Sequence, residues 1–367
     1  MTATSDVAVV GAGIVGLATA YALHRAGLSV TVYESGSPGG GQSAGQSRIF
    51  RHAHTDRRLV ELAVAARRRW QEWEGEFGIE LISGDGAVAL GAGVADKLAI
   101  LRDTPGVAAR AIDPDEVASR LPLLAPYDGP AMLDETGGSI RTVAAIAALG
   151  ARLRPALVAD HVLTIRPAPG NSVEVRTGTT CSGHGAAVVC AGRGTAALAR
   201  GSGLALPIQP SAHVRVSFRP RSAPPTTLAT LQDSSGRFGE TGIYAAAYPG
   251  NTHYGLGLSD TVATDGADAV DPAALAELAE RAGAYVRRAL PGLVPEPAGH
   301  VHCWVTRLPW GEDGVAAWQH ENLTFVAGHN LFKLAPALGA VLADSVTTGR
   351  PAATLHPSRR LGDPDAA

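Results

Sequence analysis

Hydrophobic positions at the start of the chain fall into runs of clearly different period. Val7-Ala8-Val9-Val10 is an unbroken apolar run that stops at Gly11, the pattern of a strand buried on both faces. Ala18, Tyr21, Ala22 and Leu23 then belong to an Ala/Leu-rich helical stretch that ends at Gly27, and Leu28 to Tyr33 forms a second buried run. Strand, glycine turn, helix and strand in that order predict a parallel βαβ unit.

Further on, Leu59, Leu62, Ala63, Ala66 and Trp70 share one face of a helix expected from Thr55 to Glu74, with Arg67-Arg68-Arg69 read as a solvated face. Glycine and proline punctuation frames a strand from Gly86 to Leu90. It also frames a short helix capped by Asp113, with Pro114 at its first position. Ala186 to Cys190 is another apolar strand. Between Ile208 and Leu258 the period drops to two: Val214, Val216 and Phe218 alternate with Arg215 and Ser217, predicting a separate antiparallel sheet with one wet face. Asp271-Pro272 opens a helix running to about Leu290, and a last strand, Leu323 to Ala327, leads through Gly328 into a helix from about Pro336 to Thr348.

A chain of 367 residues that is 46% hydrophobic can bury a large core, in two domains or one interleaved unit. Its formal charge of −3 gives no electrostatic reason for a nucleic acid or an anionic membrane as partner, so a small-molecule site is expected. The apolar stretch Val7 to Leu23 is broken by Gly11, Gly13 and Gly16 and is read as soluble structure. Cys181, Cys190 and Cys303 form neither a disulfide framework nor a CxxC pair, which points to a reducing, cytoplasmic compartment. Cys181 and Cys190 are read as core residues. His52 and His54 are not expected to share a metal, and none is expected elsewhere.

The sharpest chemical signal is Gly11-Ala-Gly13-Ile-Val-Gly16, a GxGxxG fingerprint in its required setting between a strand and a helix. Gly11 makes the tight turn, Gly13 lets the backbone approach a pyrophosphate, and Gly16 allows close packing of helix on strand. The helix N-terminus offers N–H groups to the anion. Glu34, at the end of the second strand, has the spacing of an acid that binds an adenosine ribose and argues against a 2′-phosphate. A dinucleotide is therefore expected, and the fingerprint alone does not separate FAD from NAD.

Ser47-Arg48-Ile49-Phe50-Arg51-His52-Ala53-His54 resembles the T-R-I-I-R-H-A-Y stretch of monomeric sarcosine oxidases and N-methyltryptophan oxidases, a group within the D-amino-acid-oxidase superfamily. His302-Cys303-Trp304-Val305-Thr306 resembles that group's C-x-Y-T segment. Val326-Ala327-Gly328-His329 with Phe332-Lys333 resembles its A-A-G…G-F-K segment. The resemblance implies an α/β fold in which a Rossmann-like FAD-binding domain carries an interleaved antiparallel-sheet substrate domain. The expected division assigns 1–85, 140–207 and 300–367 to the first and 86–139 and 208–299 to the second.

By the same resemblance, FAD is joined through Cys303 and contacted by Gly11, Gly13, Gly16, Glu34, Ser43, Arg48, Gly328 and Lys333. Arg51 and Lys333 would hold the carboxylate of an amino-acid-like substrate, Arg48 would lie near the flavin ring, and His54 would line the pocket. The helix after Lys333 would aim its N-terminus at the flavin. The implied reaction is oxidation of a carbon–nitrogen bond to an imine by a monomeric enzyme. Gly257 in Gly255-Leu256-Gly257-Leu258 stands where the group's oxidases carry a lysine that promotes reaction with oxygen, and Thr261 and Ala246 stand for a histidine and a tyrosine. The lysine's loss implies a missing cation and open space for a larger substrate. It leaves a desaturase or dehydrogenase with weak oxygen reactivity, or a catalytically silent flavin-binding protein, as alternatives.

Overall fold

Strand Ala3–Val10, helix Ile14–Arg25 and strand Val30–Glu34 form the opening βαβ unit in the computed structural model, which describes residues 3–264 and 269–366. Ala3–Val10 pairs in parallel with Val30–Glu34 on one side and with Cys181–Val189 on the other. Leu323–Gly328 adds in parallel beyond Cys181–Val189, and Val315–His320 closes that edge antiparallel. The two ends of the chain therefore meet in one eight-stranded sheet, which also takes in the antiparallel strands Val162–Ala168 and Ser172–Thr177. Val7, Val9 and Val32 face a core built with the flanking helices, while Ala8, Val10 and Tyr33 face a second core, which explains the unbroken apolar runs.

Helix Ala335–Thr348 lies against Ile14–Arg25 so closely that a Cβ on Gly339 would stand 2.5 Å from the carbonyl carbon of Ala18. Helix Arg57–Phe77 begins after Asp56, whose carboxylate accepts from Arg58 N at 2.9 Å, and ends at left-handed Gly78. Its buried Trp70 donates Nε1–H to the Lys333 carbonyl at 2.9 Å, fixing the turn that carries Lys333. The arginine run on this helix is only partly solvated, because Arg67 Nε donates to Thr136 O at 3.0 Å.

The alternating segment becomes strand Gln209–Phe218 of a nine-stranded sheet, flanked by Gly299–Arg307 and by Tyr254–Leu258. Val214, Val216, Phe218, Leu256 and Leu258 pack in one core with helix Pro272–Ala289. His213 and Arg215 point to the opposite face, as a period of two requires. The face expected to be wet is not: His213, Arg215 and Ser217 are buried, because this polar face is turned towards the nucleotide sheet. Thr306 ties the two together, its Oγ1 donating to Gly328 O at 2.7 Å.

Candidate active site

Between the sheets lies a cleft of about 830 Å³ that runs from the glycine turn to Lys333. At its nucleotide end the fingerprint glycines are required by shape. Gly11 has a φ of +100°, and a Cβ there would sit 2.6 Å from Cys190 O. A Cβ on Gly16 would come within 1.9 Å of Gly11 O, so only glycine lets the helix begin this close to the strand. Glu34 is held by two backbone donors, Ala12 N to Oε2 and Gly36 N to Oε1, each at 2.8 Å. A carboxylate has about four acceptor positions, so two remain for a ribose. Ser43 Oγ accepts from Ile14 N at 3.0 Å and lies beside Gly13 at the same end. The pyrophosphate cradle and the acid at the strand tip fit an adenine dinucleotide.

The other end of the cleft is cationic. Arg48 Nη1 donates to Ser47 O at 3.0 Å, and Arg215 Nη2 donates to the same carbonyl at 2.8 Å. Burial and the neighbouring Arg215 bring the Arg48 guanidinium down to about 10. Cys303 is 8% exposed and in register with His213 across the sheet. Burial raises its thiol, but the His213 hydrogen bond and the charges of Arg215 and Arg48 outweigh that and hold it at about 6. His213 Nδ1 also lies 2.8 Å from Tyr244 Oη. A thiolate beside two guanidiniums has the character of a nucleophile. Cationic ring-end residues and a polarised thiol fit the flavin half of FAD.

Arg51 and Lys333 both reach the cleft, from segments 282 positions apart in the 367-residue chain (333 − 51). Behind them is a group the sequence did not advertise. Asp313, on the turn before strand Val315–His320, places Oδ2 3.0 Å from Arg51 Nη2 and Oδ1 3.5 Å from Lys333 Nζ. Asn330 Nδ2 donates to Oδ1 at 2.7 Å. Burial opposes the charge, yet Lys333 and then Arg51 hold the Asp313 carboxyl well below its ordinary range. Burial pulls the Lys333 ammonium down to about 8 against the attraction of Asp313. His54 Nδ1 lies 2.9 Å from Asp313 Oδ2, at an angle that makes no proper hydrogen bond. Burial and then Arg51 push His54 to about 3, so it stays neutral.

Gly11, Gly13, Glu34, Ser43, Arg48 and Cys303 share the cleft, as do Gly328, Arg51 and Lys333, while Gly16 packs beneath the turn. His54 stands with Asp313 behind the cleft wall. His52 turns to another acid, Asp134, with Nδ1 3.0 Å from Oδ2. Cys181 is exposed, so it is not the core residue expected, while Cys190, half-buried at the nucleotide end, packs against the edge of the core.

The space expected above Gly257 is filled: a Cβ there would meet Tyr244 Oη at 2.5 Å and Arg215 Cγ at 3.1 Å. Nor is that part of the cleft without a cation. His213, Arg215 and Asp313 were missed as site residues. The alternation over Val214 to Phe218 marked Arg215 as belonging to the polar face, and His213 lies two positions before it on the same face, but nothing local to the sequence shows that this face is a cleft wall.

Residues 6–345 match the FAD dependent oxidoreductase family, and the chain belongs to it. It is an FAD-dependent oxidoreductase with a Rossmann-type nucleotide domain. The human peroxisomal sarcosine oxidase is 26% identical over 96% of this chain and 95% of its own. Among solved structures, NikD, described as an unusual amino acid oxidase essential for nikkomycin biosynthesis, has a TM-score of 0.84 at 22% identity, covering 97% of this chain and 98% of its own. The L-proline dehydrogenase of P. horikoshii has a TM-score of 0.83 at 20% identity and 98% coverage of both chains. At such identities the solved structures establish the fold.

Proposed function

We propose that the chain oxidises a carbon–nitrogen bond of an amino or imino acid, or an N-substituted amino acid, with the substrate carboxylate held by Arg51 and Lys333. The carrying observation is the convergence of these two cations on the cleft that also contains Arg48 and Cys303. Paired cations in a sheltered site bind an anionic group strongly, and a guanidinium adds directional donors. Asp313 offsets one of the two charges and neutral His54 adds none, leaving a net charge suited to one carboxylate. The names of the relatives, a sarcosine oxidase, an amino acid oxidase and a proline dehydrogenase, support an amino- or imino-acid substrate.

In the reaction the substrate's α-carbon gives up a hydride and its nitrogen a proton, so that a carbon–nitrogen double bond forms; water then hydrolyses the imine. Bound FAD supplies the two-electron acceptor, attached in this reading through Cys303. The residues contribute orientation and electrostatics: Arg51 and Lys333 fix the carboxylate, and buried Arg48 keeps positive charge beside the ring end of the cleft. An amine bound in neutral form needs no strong base. A second reading, a dehydrogenase or desaturase with weak oxygen reactivity, rests on Gly257 standing where the resemblance places a lysine, and the neighbouring Arg215 weakens it. A silent flavin-binding protein is disfavoured by the intact pair of cations.

Anaerobic mixing of the yellow protein with a panel of N-methyl, cyclic and aromatic amino acids tests the reading. Bleaching by a panel member supports it, and readmitting air then separates oxidase from dehydrogenase. A bound flavin that no carboxylate-bearing amine bleaches would count against it.

A further inference from the structure

Arg215, Gly257 and Tyr244 form one cross-strand row, because Arg215 pairs with Gly257 and Gly257 with Tyr244. Directly paired residues project to the same face of a sheet, here the cleft face. The missing side chain at 257 is what makes room for the Tyr244 ring and the Arg215 stem. Arg215 is 9% exposed and its Nε has no acceptor. Its guanidinium shares the Ser47 carbonyl with Arg48, and among the described residues neither arginine is paired with an acid.

Arg48 also donates to the Gln42 and Ala44 carbonyls, so the pair is held by neutral acceptors alone, and two like charges buried side by side in that way are costly unless an anion completes them. Cys303, whose thiol His213 and these two arginines bring down to about 6, would balance one of them as a thiolate, and that charge disappears if the sulfur forms a covalent bond. Glu34 and the glycine turn take the adenosine and pyrophosphate end of FAD, so the isoalloxazine end belongs where these arginines lie.

We infer that Arg215 acts with Arg48 as a two-guanidinium wall that stabilises negative charge on the flavin ring, supplying from the neighbouring strand the cation that position 257 lacks. The residue sets the electron affinity of the cofactor and not the choice of substrate. It requires bound flavin only, so it stands or falls separately from the amino-acid reading.

The test uses the purified flavoprotein and its Arg215→Met and Arg215→Lys variants. Two readouts need no substrate: the reduction potential, and the affinity for sulfite, an anion that adds to oxidised flavin and bleaches it. Arg215→Met should weaken sulfite binding on the order of tenfold or more and make the potential more negative, while Arg215→Lys stays within about threefold of the parent. A methionine variant within about twofold of the parent in sulfite affinity, at an unchanged potential, overturns the inference. Should the methionine variant lose its flavin, Arg215→Gln, which still donates to Ser47 O, replaces it in the comparison. Equal sulfite affinities of the glutamine and lysine variants would then overturn the inference, and a weaker glutamine variant would uphold it.

Discussion

Arg51 and Asp313 form a largely buried ion pair, Nη2 to Oδ2 at 3.0 Å with 16% of each side chain exposed. The same carboxylate serves Lys333, so the cations of the proposed substrate clamp are already joined by an anion of the protein. A substrate carboxylate would therefore meet a cluster whose charge Asp313 has lowered and whose geometry it has fixed.

Removing that anion should be costly. Asp313→Asn leaves Arg51 and Lys333 facing each other and is expected to destabilise the fold by about 3–5 kcal/mol, as for any broken buried pair. The thermal midpoint at neutral pH measures this, and added acetate should recover part of the loss by binding between the cations. Because the folded-state carboxyl lies well below its ordinary range, its contribution is complete above that range and is lost as the pH falls through the folded value. A variant as stable as the parent would show that the pair holds nothing together.

Lys333, drawn by burial to about 8, must be protonated to hold a carboxylate. For an amino-acid substrate, loss of the Lys333 proton should give kcat/KM a limb that falls about tenfold per pH unit above that value, opposing the rise that comes as the substrate's ammonium loses its own proton. At saturation kcat should lack this limb, because the bound carboxylate keeps the proton on. Lys333→Arg should move the limb to higher pH, and Lys333→Met should lower kcat/KM roughly a hundredfold. An unchanged limb in Lys333→Arg would assign it to another group.

Cys303, held at about 6, should be a thiolate at neutral pH whenever it is not linked. Acid precipitation of the parent should carry yellow colour into the pellet, and Cys303→Ala should release it to the supernatant. In flavin-free protein, alkylation of Cys303 by iodoacetamide should rise as the pH passes about 6, and His213→Ala should shift that rise upward. Full release of colour from the parent would reject the linkage.

Position 257 tests the packing of the cleft wall. Gly257→Ala puts a Cβ 2.5 Å from Tyr244 Oη and is expected to cost about 1–3 kcal/mol by overpacking. Tyr244→Ala should relieve that cost, giving a coupling of about 1 kcal/mol or more in a double-mutant cycle read from urea denaturation. Additive effects would mean that the two side chains do not compete for one space.

Features that depend on local pattern are legible in the chain alone. Val7 to Val10, the glycines at 11, 13 and 16, and Glu34 specify a nucleotide-binding βαβ unit, because turn stereochemistry and strand burial are properties of neighbours along the chain. The caps at Asp113 and Asp271 are legible for the same reason and are used as expected. The segments around Arg51, Cys303 and Lys333 could be matched to a family, which brought the cofactor and the cations into view. Which residues stand across from one another emerges only when the sheets pack together. Asp313 reaches Arg51 over 262 positions (313 − 51), and Arg215 meets Gly257 through strand register, so neither relationship leaves a local periodicity. The charge of the clamp and the filled space at Gly257 were fixed by contacts between distant segments, whose side chains compete for the same few ångströms once the sheets close.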